Sequence, residues 1–295
     1  MSRPQLVDAV ENTRARAYLR DGYVVVSELL GADEVEALQQ DLVRLARGDY
    51  PTQALPVISE AISDAQVLSN LLCIHQPHLV SPLIHRSLSH PKIAAVLGEI
   101  VGAHLGRWWD GSVKCMQSMF FAKPAGKPGQ AWHQDEGFIP TRDRSLCGAW
   151  IALDDASVQN GCLWVLPGSH RAGVLYPSRP HSDPEFDPTP EAYAFSATGE
   201  IPVEVPKGSV VFFNGYLLHR SNRNRAESSR RALVNHYMSA QSLLPWGTTT
   251  EPSTGLEDNR QVVQVVGTDP YTWRSTLPAD PSQVFLRGES ALPGF

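Results

Sequence analysis

From Leu105 to about Met238 the chain is written in short runs of β-branched and aromatic residues, and no other feature constrains its fold as strongly. Met116 to Phe121, Leu146 to Leu153, Cys162 to Leu166, Val203 to Val205, Ser209 to Phe213 and Arg231 to Met238 each have the length and make-up of a strand. Pro124-Ala125-Gly126, Gln159-Asn160-Gly161 and Pro206-Lys207-Gly208 separate them with residues that turn the backbone. Strands this short, at this spacing, are expected to form a double-sheet jelly roll.

The preceding stretch carries a different period. Val35, Leu38, Leu42 and Leu45 recur at helical spacing, with Gly48 as a C-terminal stop. Pro91 opens a second helix with Ile93, Val96, Leu97 and Ile100 on one face and Gly102 at its end. Val24-Val25-Val26, after Asp21-Gly22, reads as a short buried strand. The expectation is therefore one domain over residues 1–295: helix-rich to 105, a jelly-roll core over about 106–240 and a turn-rich tail over 241–295. Arg171 to Glu200 interrupts the core with five prolines. A long loop of that kind is expected to be stiff and extended, and to serve as a lid if it reaches a site.

Composition narrows the class. Hydrophobic residues make up 42% of the 295, enough for a substantial core. A net charge of −6 with no basic block argues against a nucleic-acid footprint. Cys73, Cys115, Cys147 and Cys162 show no CxxC spacing and are read as buried reduced thiols. The run Ile93 to Gly106 is broken by Glu99 and His104 and is too short to span a bilayer. A soluble cytoplasmic protein acting on a small molecule is expected, with no membrane or nucleic-acid partner; the sequence does not set the oligomeric state.

Four residues carry chemistry. In an extended chain His133 and Asp135 point to the same side and reach one ion. His219 closes the apolar run that begins at Gly208, where an imidazole needs a reason to be. Two imidazoles and a carboxylate suit the facial triad that holds Fe(II) and leaves the opposite positions open. Arg230, eleven residues beyond His219, suits a bidentate grip on the far carboxylate of a 2-oxo acid, and strand alternation directs one of Arg230 and Arg231 inward. An HxD triplet alone is weak. A zinc hydrolase could use the same three ligands but gives Arg230 no role, and the intact triad together with Arg230 speaks against a non-catalytic metal- or ligand-binding jelly roll.

The combination resembles the phytanoyl-CoA dioxygenase family of Fe(II)- and 2-oxoglutarate-dependent oxygenases. The resemblance lies in Trp132-His133-Gln134-Asp135, Cys147-Gly148-Ala149-Trp150, Asn160 to His170, and His219-Arg220-Ser221 with Arg230, and Arg20 to Val26 is similar to the family's opening. It implies a double-stranded β-helix, a cupin-like jelly roll flanked by helices. It implies His133, Asp135 and His219 as iron ligands, and Arg230 as the partner of the 2-oxoglutarate distal carboxylate. Gln117, Met119, Gln134, Trp150 and Ser221 fall where the family lines the co-substrate pocket; for Met119 and Trp150 core packing is an equal reading. His170 reads as structural, and His236 has no spacing that recommends it as a ligand. Related halogenases have a small residue in place of the carboxylate, so Asp135 disfavours halogenation. The expected cofactor set is Fe(II), 2-oxoglutarate and O2. The expected reaction is hydroxylation of an unactivated C–H bond of a small metabolite or natural product, with release of succinate and CO2. Desaturation, epimerisation and cyclisation share the same site. Trp108, Trp109, Phe138 and the Arg171 to Glu200 segment are candidate substrate-side elements, with core packing the stronger reading for the two tryptophans.

Overall fold

The structure, a computed structural model, describes residues 13–52, 55, 57–69, 71–243, 261–273 and 279–287. Helices dominate its first part: α1 (Thr13–Asp21), β1 (Tyr23–Val26), α2 (Ala32–Arg47), α3 (Asp64–Ser69), β2 (Cys73–His75), α4 (Pro82–Ser87) and α5 (Pro91–Ile100). Strands follow: β3 (Val113–Lys123), β4 (Gln130–His133), β5 (Cys147–Ala152), β6 (Leu163–Val165), β7 (Ser178–Arg179), β8 (Glu191–Ala192), β9 (Ile201–Val203), β10 (Val210–Asn214), β11 (His219–Ser221) and β12 (Arg230–Ser239). The described parts of the tail add β13 (Val263–Val266) and β14 (Phe285–Arg287).

In α2 the periodic residues Val35, Leu38, Leu42 and Leu45 are all buried. Glu34 accepts the Gly31 N–H at 2.8 Å at the helix start. Gly48 ends the helix at φ 78°, ψ 24°, a left-handed conformation that costs little without a Cβ. α5 begins at Pro91 as expected and buries Ile93, Val96, Leu97 and Ile100. Gly102 is not its left-handed stop; a Cβ there would lie 2.4 Å from the Trp109 ring, so this glycine makes room for the indole.

Two antiparallel sheets form the core. The larger runs β1-β10-β5-β12-β3-β2-β14, with β13 also on β3; the smaller runs β4-β11-β6-β9. Strand alternation gives the large sheet two buried faces. Val210, Phe212, Ala149, Ile151, Leu233 and Phe120 pack against Leu38, Leu42, Ile93 and Leu97 of the helices. Val211, Phe213, Trp150, Ala152, Ala232, Val234 and Met119 face the small sheet, where Leu163, Val165 and Val203 meet them. A bulge sets the register along β3: Gln117 pairs with His236 but Cys115 with Tyr237, leaving Met116 extra. It puts Cys115 on the helix face and Met119 on the inter-sheet face although both are odd-numbered.

The apolar run from Gly208 to His219 divides between two strands. β10 ends at Asn214, whose side chain accepts the Tyr216 N–H at 2.9 Å while its carbonyl accepts the Leu217 N–H at 2.8 Å, and the chain crosses to the other sheet before β11. β1 is an edge strand on which only Val24 is buried, since its free edge meets solvent. The tail is not merely turns, because β13 and β14 extend the large sheet; residues 244–260, 274–278 and 288–295 lie outside the described residues. Among the described residues no helix is long and apolar enough to cross a membrane. All four cysteines are buried and none forms a disulfide.

Candidate metal centre

His133 is the last residue of β4 and His219 the first of β11, and the two pair directly across the antiparallel ladder. Their ring centroids lie 4.1 Å apart. Asp135 is not in the strand. Gln134 stays extended at φ −131°, ψ 124°, and Asp135 then opens a single turn of 3-10 helix, so the i, i+2 relation survives although the strand has ended. One ligand atom from each of His133, Asp135 and His219 lies within 4.8 Å of the others.

The hydrogen bonds fix which atoms converge. His133 Nδ1 donates to the Ala131 carbonyl at 2.8 Å, and His219 Nδ1 to the Leu217 carbonyl at 3.0 Å. A carbonyl only accepts, so each Nδ1 carries a proton, and Nε2 is the ring nitrogen turned toward the cluster. Both Nε2 atoms sit 3.6 Å from the same oxygen, Asp135 Oδ1, too far for hydrogen bonds. Burial pushes the Asp135 carboxyl up, but His219, His236 and His133 outweigh it and hold the group well below the usual carboxylate range. Two ring nitrogens and one carboxylate oxygen thus face one point, an arrangement that could hold a cation.

His236 completes the support. Its Nε2 donates to Asp135 Oδ2 at 3.0 Å, leaving Oδ1 toward the histidines. It stands on β12 opposite Gln117, so tertiary register and not local spacing brings it there. Sequence reasoning passed over it. Glu136, also unremarked in the sequence, is buried with one oxygen on the Thr141 N–H (2.5 Å) and hydroxyl (2.6 Å) and the other without a partner. Burial, with help from Asp143 and Asp135, raises its carboxyl to about 7 against the lowering by Thr141.

Arg230 and Arg231 separate as strand alternation requires. Arg231 points outward, gripping Asp154 at 2.7 and 2.8 Å. Arg230 is 3% exposed. Its guanidinium lies 5.3 Å from the Trp150 ring centroid and donates through Nη2 to the Gly161 carbonyl at 2.8 Å. Its Nε has no partner, and among the described residues no carboxylate pairs with it. Burial lowers it to about 10.

The other positions divide. Gln117, Met119, Trp150 and Ser221 are all buried, Met119 and Trp150 between the sheets. Ser221 Oγ accepts from Lys123 Nζ at 2.8 Å. Gln134 lies buried between His133 and Asp135, but its amide is bonded to the Val174 and Tyr216 carbonyls (3.0 and 2.7 Å) and the Tyr176 N–H (2.8 Å). It therefore clamps the start of the proline-rich segment. That segment is docked: β7 and β8 pair within it, and Phe195 meets Trp132 edge-on at 5.7 Å. Phe138 is 41% exposed with its ring 6.2 Å from His133. Trp109 packs against the core, whereas Trp108 is 71% exposed beneath Arg107, which corrects the core reading for that residue. His170 bonds to the Leu19 carbonyl at 3.1 Å. A cavity of about 410 Å³ opens away from the cluster, lined by Arg220, Arg223 and Arg225, each ion-paired with Glu200 or Glu185.

Known proteins share this plan. The family described as "Phytanoyl-CoA dioxygenase (PhyH)" matches residues 18–232. "Phytanoyl-CoA dioxygenase 1" of Oryza sativa subsp. japonica is 38% identical over 129 residues, 43% of this chain and 45% of that protein. The chain thus matches less than half the length of that relative. Among solved structures, "the epimerase SnoN in complex with Fe3+, alpha ketoglutarate and nogalamycin RO" aligns at TM-score 0.59 and 23% identity, covering 86% of this chain and 94% of that one. "EctD from S. alaskensis with 2-oxoglutarate and 5-hydroxyectoine" aligns at TM-score 0.60 and 23% identity, covering 86% and 89%. At these identities the structures establish a common fold.

Proposed function

The chain belongs to the phytanoyl-CoA dioxygenase family, and from that premise we propose that it is an Fe(II)- and 2-oxoglutarate-dependent oxygenase of a small metabolite or natural product. The observation that carries this reading is the convergence of His133 Nε2, His219 Nε2 and Asp135 Oδ1 on one point, with a buried arginine on the same inter-sheet face that pairs with no carboxylate among the described residues. The residues fit the ion: two neutral imidazoles and one ionised carboxylate are a set suited to Fe(II) with open positions. When bound, Fe(II) with 2-oxoglutarate supplies O2 activation and oxidation of a C–H bond, with release of succinate and CO2.

The chain's own residues do the holding. Ala131 and Leu217 lock the two imidazoles through their Nδ1 protons. His236 keeps Asp135 turned so that one oxygen faces the ion. Arg230, stacked on Trp150, presents donors to the distal carboxylate of the co-substrate, and Ser221 donates beside it. Met119 and Trp150 wall that pocket against water. Phe138 forms an apolar margin beside His133. Hydroxylation is the default outcome, and cytoplasmic placement the default location. Small substrates are favoured because SnoN and EctD, which share the fold, form complexes with nogalamycin RO and 5-hydroxyectoine.

The test is succinate formation from 2-oxoglutarate with Fe(II) and O2, first without added substrate and then across a metabolite library. Slow background turnover that a library member stimulates is expected, with none from His219→Ala. No succinate above the His219→Ala level under any condition would sink the reading.

A further inference from the structure

Lys123 is a lysine where none is expected. It ends β3, is 5% exposed, and stands directly across the ladder from Arg230, so two cations are buried side by side. Burial, and the charge of Arg230 after it, pull its amine well below the ordinary lysine range. Such a placement is costly and requires compensation. Lys123 Nζ donates to Ser221 Oγ and to the Asn222 carbonyl, both at 2.8 Å. Asp187, buried on the docked segment, adds a favourable charge.

The consequence lies in Ser221. A serine hydroxyl has two lone pairs and one proton. Ser221 Oγ already accepts from Lys123 Nζ at 2.8 Å and from the Gln130 N–H at 3.2 Å. Both lone pairs are therefore engaged, and the proton is left to be given away. Charged or neutral, an amine has the two N–H bonds that this role needs. Gly161 is the meeting point: its carbonyl takes the Arg230 Nη2 bond. A Cβ on Gly161, at φ +80°, would sit 3.1 Å from Lys123 Nζ and 2.4 Å from the Asn222 carbonyl oxygen. No side chain but glycine's fits between the two cations' anchor points.

We infer that Lys123 is a positioning residue for the co-substrate: it saturates Ser221 as an acceptor, so that Ser221 and Arg230 together donate to the distal carboxylate of 2-oxoglutarate. The inference rests on the co-substrate reading above and deepens it. Lys123 itself does not touch the carboxylate; its amine is spent on Ser221 and Asn222. Its removal frees the Ser221 hydroxyl to rotate and to donate elsewhere, for instance to the Asn222 carbonyl.

The experiment is calorimetric binding of 2-oxoglutarate to the full chain loaded with Mn(II) in place of Fe(II), together with Mn(II) binding itself. Lys123→Met should raise the 2-oxoglutarate Kd about tenfold, the loss of one hydrogen bond, with Mn(II) affinity unchanged. Lys123→Gln, which keeps an N–H for Ser221, should recover most of that affinity. Adding Ser221→Ala to Lys123→Met should cost less than about twofold more, because both changes remove one interaction. Losses that multiply in the double variant, or a Lys123→Met affinity equal to that of the unaltered protein, overturn the proposal. If Lys123→Met does not fold, Ser221→Ala alone decides: it should lose about tenfold, and unchanged affinity overturns the proposal. Failure of the unaltered protein to bind 2-oxoglutarate at all overturns the co-substrate reading instead, and this proposal with it.

Discussion

Replacing His236 with Phe should weaken metal binding without touching a ligand. The imidazole is 4% exposed, and its Nε2 donates to Asp135 Oδ2 at 3.0 Å. Phenylalanine fills nearly the same space and removes the donor, so the change isolates the hydrogen bond from a packing defect. The Asp135 side chain is 13% exposed, so water replaces the lost partner poorly. A hydrogen bond to a charged group contributes about 1.5–3 kcal/mol. Loss of an outer-shell partner of a metal ligand typically costs 10–100-fold in affinity, or about 1.4–2.8 kcal/mol. The two estimates agree, and the Fe(II) or Mn(II) Kd should rise by roughly one to two orders of magnitude. An anaerobic calorimetric titration reads this directly. His236→Gln, which keeps an N–H donor, serves as the control and should stay within about fivefold of the unaltered protein if the bond is what matters. Equal metal affinity in the unaltered protein and His236→Phe would refute the idea that Asp135 is oriented through Oδ2.

Arg230→Lys keeps the charge but loses the planar fork and the stack on Trp150, so 2-oxoglutarate affinity should fall by about 1–3 kcal/mol in a binding titration; Arg231→Lys, whose partner is Asp154, should leave it unchanged. Glu136 has its carboxyl raised from 4.5 to about 7, so between those pH values the unfolded chain gives up a proton that the folded chain keeps, and stability falls as pH rises. The full loss is about 3 kcal/mol, and Glu136→Gln should remove it, seen as a metal-free melting temperature that falls less from pH 4.5 to 7.5 than that of the unaltered protein. Gln134→Leu releases Val174, Tyr176 and Tyr216 together, and should speed proteolytic cleavage within residues 171–200 and raise succinate formed per product; unchanged cleavage would mean the segment is held by its aromatic contacts alone.

What could be read in the sequence was what short-range periodicity encodes. The 3.6-residue spacing of Val35, Leu38, Leu42 and Leu45 is local, and so is the alternation that sends Arg230 inward and Arg231 to Asp154. The cluster was legible because His133 and Asp135 are two residues apart and His219 closes an apolar run. Register was not legible. His236 reaches Asp135 because β12 lies between β3 and β5 in the large sheet, and no local pattern announces that pairing. Lys123 carries no local signal of burial, since its burial depends on β11 and Gly161, both far along the chain. The break between β10 and β11 was hidden because Leu217 and Leu218 are as apolar as a strand, while the turn rests on the Asn214 side chain. β2 and β14, three residues each, are too short to carry a period; pairing with longer neighbours makes them strands.

The central claim, that His133, Asp135 and His219 form one iron site, is tested most directly by counting metal. Anaerobic Fe(II) binding should saturate at one ion per chain in the unaltered protein, and 2-oxoglutarate added afterwards should bind with the same one-to-one stoichiometry. His219→Ala should lose nearly all Fe(II) affinity while its far-ultraviolet circular dichroism stays that of the folded protein. A folded His219→Ala variant that still binds one Fe(II) with unchanged affinity would contradict the assignment.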